Sequence, residues 1–369
     1  VQFDFLYNEF LPDIKTEGVR YTGSKKYLIP YILDEVKKLN VKKILDGFSG
    51  TTRVAQALKL SGYNVDTNDL TEYSKVFGYC YLINNYTEKF YEEYIEYLNS
   101  LEGVEGYFTK YYSADGKNSI GLDGKKKNWH RNNALKIDAV REEIENITNN
   151  YIEKCVLLTS LLLAADKVSN NLGHQVSYLR NWASRSLEPL ILRVPKLIIN
   201  KKGSYNVYKK DIMDIKGNYD LSYIDPPYNT NNKITTTTRV RYASYYHIWT
   251  TLCKNDKPKL IGAANRREEV ASDSNPKAVS DYESTNYDHV FTTFKNLFKS
   301  LNTKYIIMSY SNKGKITVRD LEQYISKTYN LINIRKIEHK ENVQRILTTN
   351  KNWLGDESDY FEYLFVFEK

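Results

Sequence analysis

An α/β fold with a mostly parallel sheet, interrupted by a helical insertion, is predicted by three features of this 369-residue chain. A strand, glycine loop, helix and second strand follow one another over residues 41–69. A hydrophobic strand at 219–224 runs into an acid and two prolines, and most of the intervening stretch carries helical periodicity. Hydrophobic residues at 41%, with 33 Tyr, 13 Phe and 4 Trp, exclude general disorder.

The first element is RYTGSKKYLIPYILDEVKKL. Gly23 and Ser24 mark a turn, after which Leu28, Tyr31, Ile32 and Val36 recur at helical spacing. In VKKILDGFSGTTRVAQALKLSGYNVDTNDL, Ile44 and Leu45 lead a short buried strand into Asp46, and Gly47 and Gly50 flank a turn. Val54, Ala57 and Leu58 lay one face of the next helix on the sheet; Gly62 ends it, Val65 lies in a second strand, and Asn68–Asp69 close that strand. This succession is that of a nucleotide-binding crevice. The loop DGFSGTT is not GxGxxG, so the dinucleotide fingerprint is not met. Asp69 could accept ribose hydroxyls, although alone it reads more simply as a strand-end acid.

Residues 71–200 break this rhythm. YTEKFYEEYIEYLNSL, ALKIDAVREEIENI and YIEKCVLLTSLLLAADKVS are the clearest helical runs, the last reading as a buried helix too interrupted to cross a bilayer. Between them, YYSADGKNSIGLDGKKKNWHRNN reads as a basic, partly flexible excursion carrying Lys125, Lys126, Lys127 and Arg131. The lysine run taken alone is solvated surface; phosphate contact requires a neighbouring groove. The sheet resumes at YNVYKKDI and YDLSYIDPPY, each ending in an acid, Asp211 and Asp225. PKLIGAANRRE, a helix at VFTTFKNLF and strands at KYIIMSYS and YFEYLFVFEK follow, with the polar EEVASDSNPKAVSDYESTNY expected as a loop or lid.

The formal charge of +8 is a weak pointer to nucleic acid. Cys80, Cys155 and Cys253 are scattered, which excludes a disulfide framework and a zinc-type spacing and predicts a reducing compartment. The first residues lack a basic stretch, apolar core and small-residue site, so a cytoplasmic protein without membrane or metal is expected.

The sharpest chemistry lies at Asp225-Pro226-Pro227-Tyr228. Two prolines remove two donors and leave their carbonyls as acceptors. Asp225 and the Pro226 carbonyl can converge on an exocyclic NH₂, while Tyr228 offers a ring face to a planar base, a grouping suited to a flipped nucleobase. Adenine and cytosine both present such an amino group, and the turn alone does not choose between them.

With these segments in view, the chain resembles the D12-like class of S-adenosylmethionine-dependent adenine-N6 DNA methyltransferases. RYTGSKKYLIPYI, ILDGFSGTTRVAQAL, NDL, ADKVSNNLGHQVSYLRNW, VYKKDI, YIDPPY and YIIMSYSNKG carry the resemblance over residues 20–314. It implies a Rossmann-like methyltransferase sheet from residues 1–84 and 201–369, with an inserted, mainly helical target-recognition domain at 85–200 in the alpha-type motif order. S-adenosylmethionine is the implied cofactor and double-stranded DNA the implied partner. Tyr21 and Lys25 fall at the aromatic and lysine positions of the cofactor segment, and Asp46, Phe48 and Gly50 on the methionine side. Asp69 would hold the ribose, Asp211 and Ile212 the adenine, and Asp225, Pro226, Pro227 and Tyr228 form the catalytic motif. The family loop often has another glycine where this chain continues Thr51-Thr52. Lys125, Lys126, Lys127, Arg131, His174, Arg180, Lys233, Arg239 and Arg241 are the DNA-contact candidates, with Trp182, Arg266 and Arg267 beside them. The expected activity is site-specific methylation in a restriction–modification system, with a cognate endonuclease outside any obligatory complex. Cytosine-N4 methylation and a catalytically silent DNA-binding module are the alternatives.

Overall fold

The computed structural model describes residues 14–227, 242–270, 280–338 and 361–369. Its main sheet has seven strands: β1 (Lys43–Asp46), β2 (Asn64–Asn68), β3 (Tyr205–Tyr208), β4 (Tyr219–Ile224), β5 (Thr303–Ser311), β6 (Asn330–Glu338) and β7 (Phe361–Glu368). Their spatial order is β3-β2-β1-β4-β5-β7-β6. The first five of these run parallel, whereas β7 is antiparallel to both β5 and β6. The order reverses between β1 and β4, the point at which an open α/β sheet leaves a crevice outside its carboxyl ends.

The central strands are apolar on both faces because helices cover both. In β4, Leu221 and Tyr223 enter one core while Ile224 enters the other; in β5, Tyr305 and Ile307 oppose Ile306 and Met308. The second face is closed by α11 (Tyr287–Ser300), through Phe294, Leu297 and Phe298, and by α12 (Val318–Ile325), through Leu321 and Ile325.

The first face receives α1 (Ile29–Lys37), α2 (Arg53–Leu60) and α3 (Glu72–Gly78), then the helices of the insertion: α4 (Glu88–Ser100), α5 (Tyr107–Tyr112), α6 (Arg131–Ile147), α7 (Tyr151–Lys167) and the short α8 (Ser184–Leu187). Two further helices, α9 (Tyr242–Tyr245) and α10 (His247–Lys254), pack among them. Helix α7 is buried nearly all round, as its leucine-rich sequence requires, and Asn150 caps it by accepting the Ile152 amide at 2.9 Å. Its Leu157 and Leu161 belong to the same apolar cluster as Ile44, Leu58, Trp129 and Trp249. The insertion therefore shares one core with a face of the sheet.

Two expectations are corrected here. The basic excursion at 111–133 is tied down rather than loose: Trp129 is fully buried and its indole N–H donates to the Ala165 carbonyl of α7 at 2.9 Å. Ser119 and Asn128 are likewise buried, and Ile120 and Lys126 face each other in an antiparallel bridge. PKLIGAANRRE forms a separate two-stranded hairpin, Leu260–Ile261 with Arg266–Arg267, outside the main sheet. Arg267 is buried there between Asp256 and Glu269 at 2.6 and 2.8 Å. Cys80, Cys155 and Cys253 are free and buried. Among the described residues, no helix is long and apolar enough to cross a membrane.

Candidate active site

A cavity of about 600 Å³ opens at the carboxyl edge of the sheet, within the roughly 300–1,000 Å³ of small-molecule sites. All the described cofactor and catalytic candidates line it: Tyr21, Lys25, Asp46, Phe48, Gly50, Asp69, Asp211, Ile212, Asp225, Pro226 and Pro227. Tyr228 lies outside the described residues, as do Lys233, Arg239 and Arg241.

The loop between β1 and α2 is stitched to both neighbouring strands. The Gly47 amide donates to the Tyr223 carbonyl of β4 at 2.9 Å, and the Ser49 amide to the Asn68 carbonyl of β2 at 3.0 Å. Gly50, with φ +49°, donates its amide to Asp69 Oδ2 at 2.8 Å. Asp69 Oδ1 accepts the Thr71 amide and hydroxyl at 2.9 and 2.7 Å. The expected ribose ligand is thus also the brace that holds the glycine loop. Burial raises its pKa against the pull of these donors.

The departure at Thr51-Thr52 acquires a geometry. Thr52 adopts φ +59°, a left-handed conformation costing a β-carbon residue roughly 1–2 kcal/mol. It is fully buried, its amide donates to the Ser49 carbonyl, and its hydroxyl accepts from Gln56 Nε2 at 3.2 Å. Packing and these bonds hold a threonine in backbone that glycine adopts freely.

Asp46 is the most unusual group in the cavity. It is 1% exposed, and neither carboxylate oxygen has a hydrogen-bond partner among the described residues. The neighbouring Ser49 hydroxyl donates instead to the Asp46 backbone carbonyl at 2.9 Å. Burial first, then the charges of Asp225 and Asp69, push its pKa up to about 8, against a weaker pull from the nearby Ser49 hydroxyl and Ala55 amide, neither of which reaches a carboxylate oxygen in hydrogen-bond geometry. A buried, unpartnered carboxylate calls for a cation or a strong donor from outside the chain.

At the end of β4, Asp225 Oδ1 accepts Lys25 Nζ at 3.0 Å. Burial lifts the Asp225 pKa to about 6, with Lys25 opposing the rise and Glu362 adding to it. Lys25, expected to serve the cofactor, lines the same cavity but is paired with Asp225. Its neighbour Tyr21 stacks on Tyr246 with ring centroids 4.2 Å apart, against the Gly50 backbone. The preceding Arg20 is fixed by Asp166 at the end of α7, amide to carboxylate at 2.8 Å, so the insertion helps place the cofactor segment. Asp211 accepts the Met213 amide at 2.9 Å and caps a short 3₁₀ turn that buries Ile212.

Sequence reasoning missed part of the wall. Tyr73, Tyr242 and Tyr282 all line the cavity. Phe48 meets Tyr282 edge-on, with centroids 5.4 Å apart. Tyr282 belongs to the stretch expected as a loop or lid. Residues 271–279 of that stretch lie outside the described residues, but Ser280–Glu283 form a capped turn that buries the tyrosine. The one available signal was a large aromatic inside a polar run.

The DNA-contact candidates scatter. Lys127 is buried, ion-paired with Asp123 at 2.8 Å and donating to the Tyr111 carbonyl at 3.1 Å, so it braces its own loop and is not open to phosphate. Lys125 Nζ donates to the Gly262 carbonyl and to Asn265 Oδ1, both at 3.0 Å. Arg131 pairs with Glu105 at 2.9 Å on the surface. His174 stacks on Tyr245 at 4.7 Å and burial favours its neutral form. Lys126 and Arg180 are exposed. The Trp182 indole N–H donates to the Gly116 carbonyl at 3.0 Å.

Residues 21–310 match the family model described as D12 class N6 adenine-specific DNA methyltransferase, and the chain belongs to this family. It is 28% identical over 373 residues to the modification methylase StsI of Streptococcus sanguinis, covering 95% of this chain and 52% of that protein. It is 27% identical over 377 residues to the modification methylase LlaI of Lactococcus lactis subsp. lactis, covering 95% and 55%. The type II methyltransferase M.NlaIII of Neisseria lactamica is 28% identical over 366 residues, covering 95% and 99%. The chain thus spans about half the length of the first two relatives.

Family and fold make S-adenosylmethionine the cofactor. The site fits it on its own chemistry. The unpartnered Asp46 carboxylate suits a cationic ligand, Asp69 stands at the end of β2 for ribose hydroxyls, and Phe48, Ile212 and Tyr282 supply apolar walls.

Proposed function

We propose that the chain transfers a methyl group from S-adenosylmethionine to adenine N6 at a specific site in double-stranded DNA. In this reading it acts in the cytoplasm and protects DNA in a restriction–modification system. The observation that carries the proposal is the placement of Asp225 and Asp46 in one cavity, an acceptor for an amino group beside a carboxylate suited to a cation. Family membership supports DNA as the substrate and adenine as the base.

Bound S-adenosylmethionine supplies a sulfonium-activated methyl group. Transfer of that methyl to N6 would leave the sulfur with the electron pair of the broken sulfur–carbon bond and would require N6 to give up one proton. Asp225 and the Pro226 carbonyl orient the amino hydrogens so that the nitrogen lone pair faces the methyl. Holding nitrogen, carbon and sulfur near a line is a large part of the catalysis. Asp225, with its pKa near 6, suits the role of proton acceptor. Tyr228 would stack on the extruded base and offset part of its unstacking. The insertion at 85–200 would carry target recognition, with exposed Lys126 and Arg180 among its phosphate or base contacts.

The test uses the purified chain, a diverse duplex pool and isotopically labelled S-adenosylmethionine, followed by base-resolved mapping. N6-methyladenine in one sequence context is expected. Methyl groups found solely on cytosine N4 would overturn the base assignment, and DNA binding without cofactor binding would leave only a silent module.

A further inference from the structure

The antiparallel β7 delivers its first residues to the edge of the sheet where the parallel strands end. Glu362, opposite Ser311 at the end of β5, is 3% exposed there, and its Oε1 lies 3.8 Å from Lys25 Nζ. Lys25 stands in the 3₁₀ turn Lys25–Tyr27 and is 7% exposed. Its ammonium also reaches the Gly23 carbonyl at 3.3 Å and Asp225 Oδ1 at 3.0 Å. A buried lysine thus sits between two carboxylates, one at the chemistry and one behind it.

We propose that Glu362 is a positioning residue that shares the Lys25 ammonium with Asp225, so that Asp225 stays fixed yet remains a strong hydrogen-bond acceptor for the substrate amino group. This rests on the methyl-transfer reading above. Lys25 engages Oδ1 of Asp225, and this aspartate lines the cavity, where a ligand amino group can reach its carboxylate. An exclusive ion pair with Lys25 would draw electron density from that carboxylate and weaken it as an acceptor. Glu362 divides the lysine's field and repels the Asp225 charge. Among the described residues, the charged and titratable groups facing Asp225 are Lys25 from the 3₁₀ turn, Asp46 from the end of β1, Glu362 from the start of β7 and Tyr223 from its own strand. Lys25 opposes and Glu362 reinforces the rise of the Asp225 pKa caused by burial.

Two measurements on the 369-residue chain test this. The first is the pH profile of kcat/KM for DNA at saturating S-adenosylmethionine, where the pH dependence of cofactor binding no longer contributes; the second is a carboxyl carbon-13 titration of Asp225, which needs no turnover. Glu362→Gln should move the acid limb and the Asp225 midpoint to lower pH, on the order of one unit, the scale on which a neighbouring charge moves a carboxyl. The plateau rate should fall as the acceptor weakens. Lys25→Met should move both midpoints to higher pH. Glu362→Asp, which retracts the charge by one methylene, should fall between wild type and Glu362→Gln, and serves alone if the amide variant does not fold. A lowered rate with an unmoved acid limb and midpoint would mean a merely structural role and overturn the proposal. A wild-type chain that transfers no methyl would overturn the functional reading, while the titration would still decide the electrostatic one.

Discussion

S-adenosylmethionine should bind this chain more tightly as the pH rises from 6 to 8, because of Asp46. The cavity holds that carboxyl at a pKa of about 8, and a cationic ligand pairs only with its ionised form. The ionised fraction is then roughly 1% at pH 6, 10% at pH 7 and half at pH 8. If binding requires that form, the apparent affinity rises about fiftyfold between pH 6 and 8, about 2.3 kcal/mol. Calorimetry at pH 6, 7 and 8, in two buffers of different ionisation heat, reads both the affinity and the proton released on binding. Asp46→Asn should remove most of the slope while leaving the contribution of Asp225, which titrates near 6. The same group links pH to stability. Its folded pKa lies above the ordinary value of 3.8, so its contribution is fully present below that value and is lost as pH rises toward 8. The ligand-free protein should therefore melt at lower temperature at pH 8 than at pH 6, and Asp46→Asn should narrow the difference. A wild-type affinity constant within twofold across this range, or an Asp46→Asn variant that keeps the full slope, would refute the assignment.

Three further outcomes are expected. Asp225→Ala should slow single-turnover methylation by at least ~10²-fold while changing cofactor affinity little, since it removes an acceptor used in the chemical step. Gly50→Ala should destabilise the chain by about 1–2 kcal/mol in denaturant unfolding, because position 50 is left-handed at φ +49°. A β-carbon there meets the Tyr21 ring at an ordinary 3.5 Å, so equal stability would show that the backbone reading is wrong. Lys127→Met should lose about 1–3 kcal/mol of stability, as an ion pair and a buried hydrogen bond disappear, yet leave the salt dependence of DNA binding unchanged. Lys126→Ala should do the reverse, reducing the slope of log affinity against log salt by about 0.9 if its ammonium meets a phosphate.

Much of the active-site geometry was legible because it is local. The Asp46 strand, the glycine turn and the strand running into Asp225-Pro226-Pro227 each announce themselves within about ten residues, through alternation and turn chemistry. Edge strand β6 was not legible: its sequence NLINIRKIE mixes polar and apolar residues because one face is open. Arg335 there is committed to Asp34 and Glu35 of α1 at 2.7 and 3.2 Å. The lysine run misled for a related reason. Lys126 and Lys127 are identical in sequence character, and only the fold turns one outward and buries the other against Asp123.

By itself, then, the sequence determined the class of sheet, the order of the strands that bear the site, and the residues at their carboxyl ends, since each follows from short-range periodicity and from backbone chemistry that glycine and proline impose. Tertiary structure alone decided which charges meet. Lys25 meets Asp225 as well as the Gly23 carbonyl of its own turn, Glu362 joins them from 337 positions further along the chain (362 − 25), and among the described residues the Asp46 carboxylate has no hydrogen-bond partner. Such pairings depend on strand order and on one antiparallel strand, and electrostatic energies depend on distance and burial, neither of which linear spacing carries.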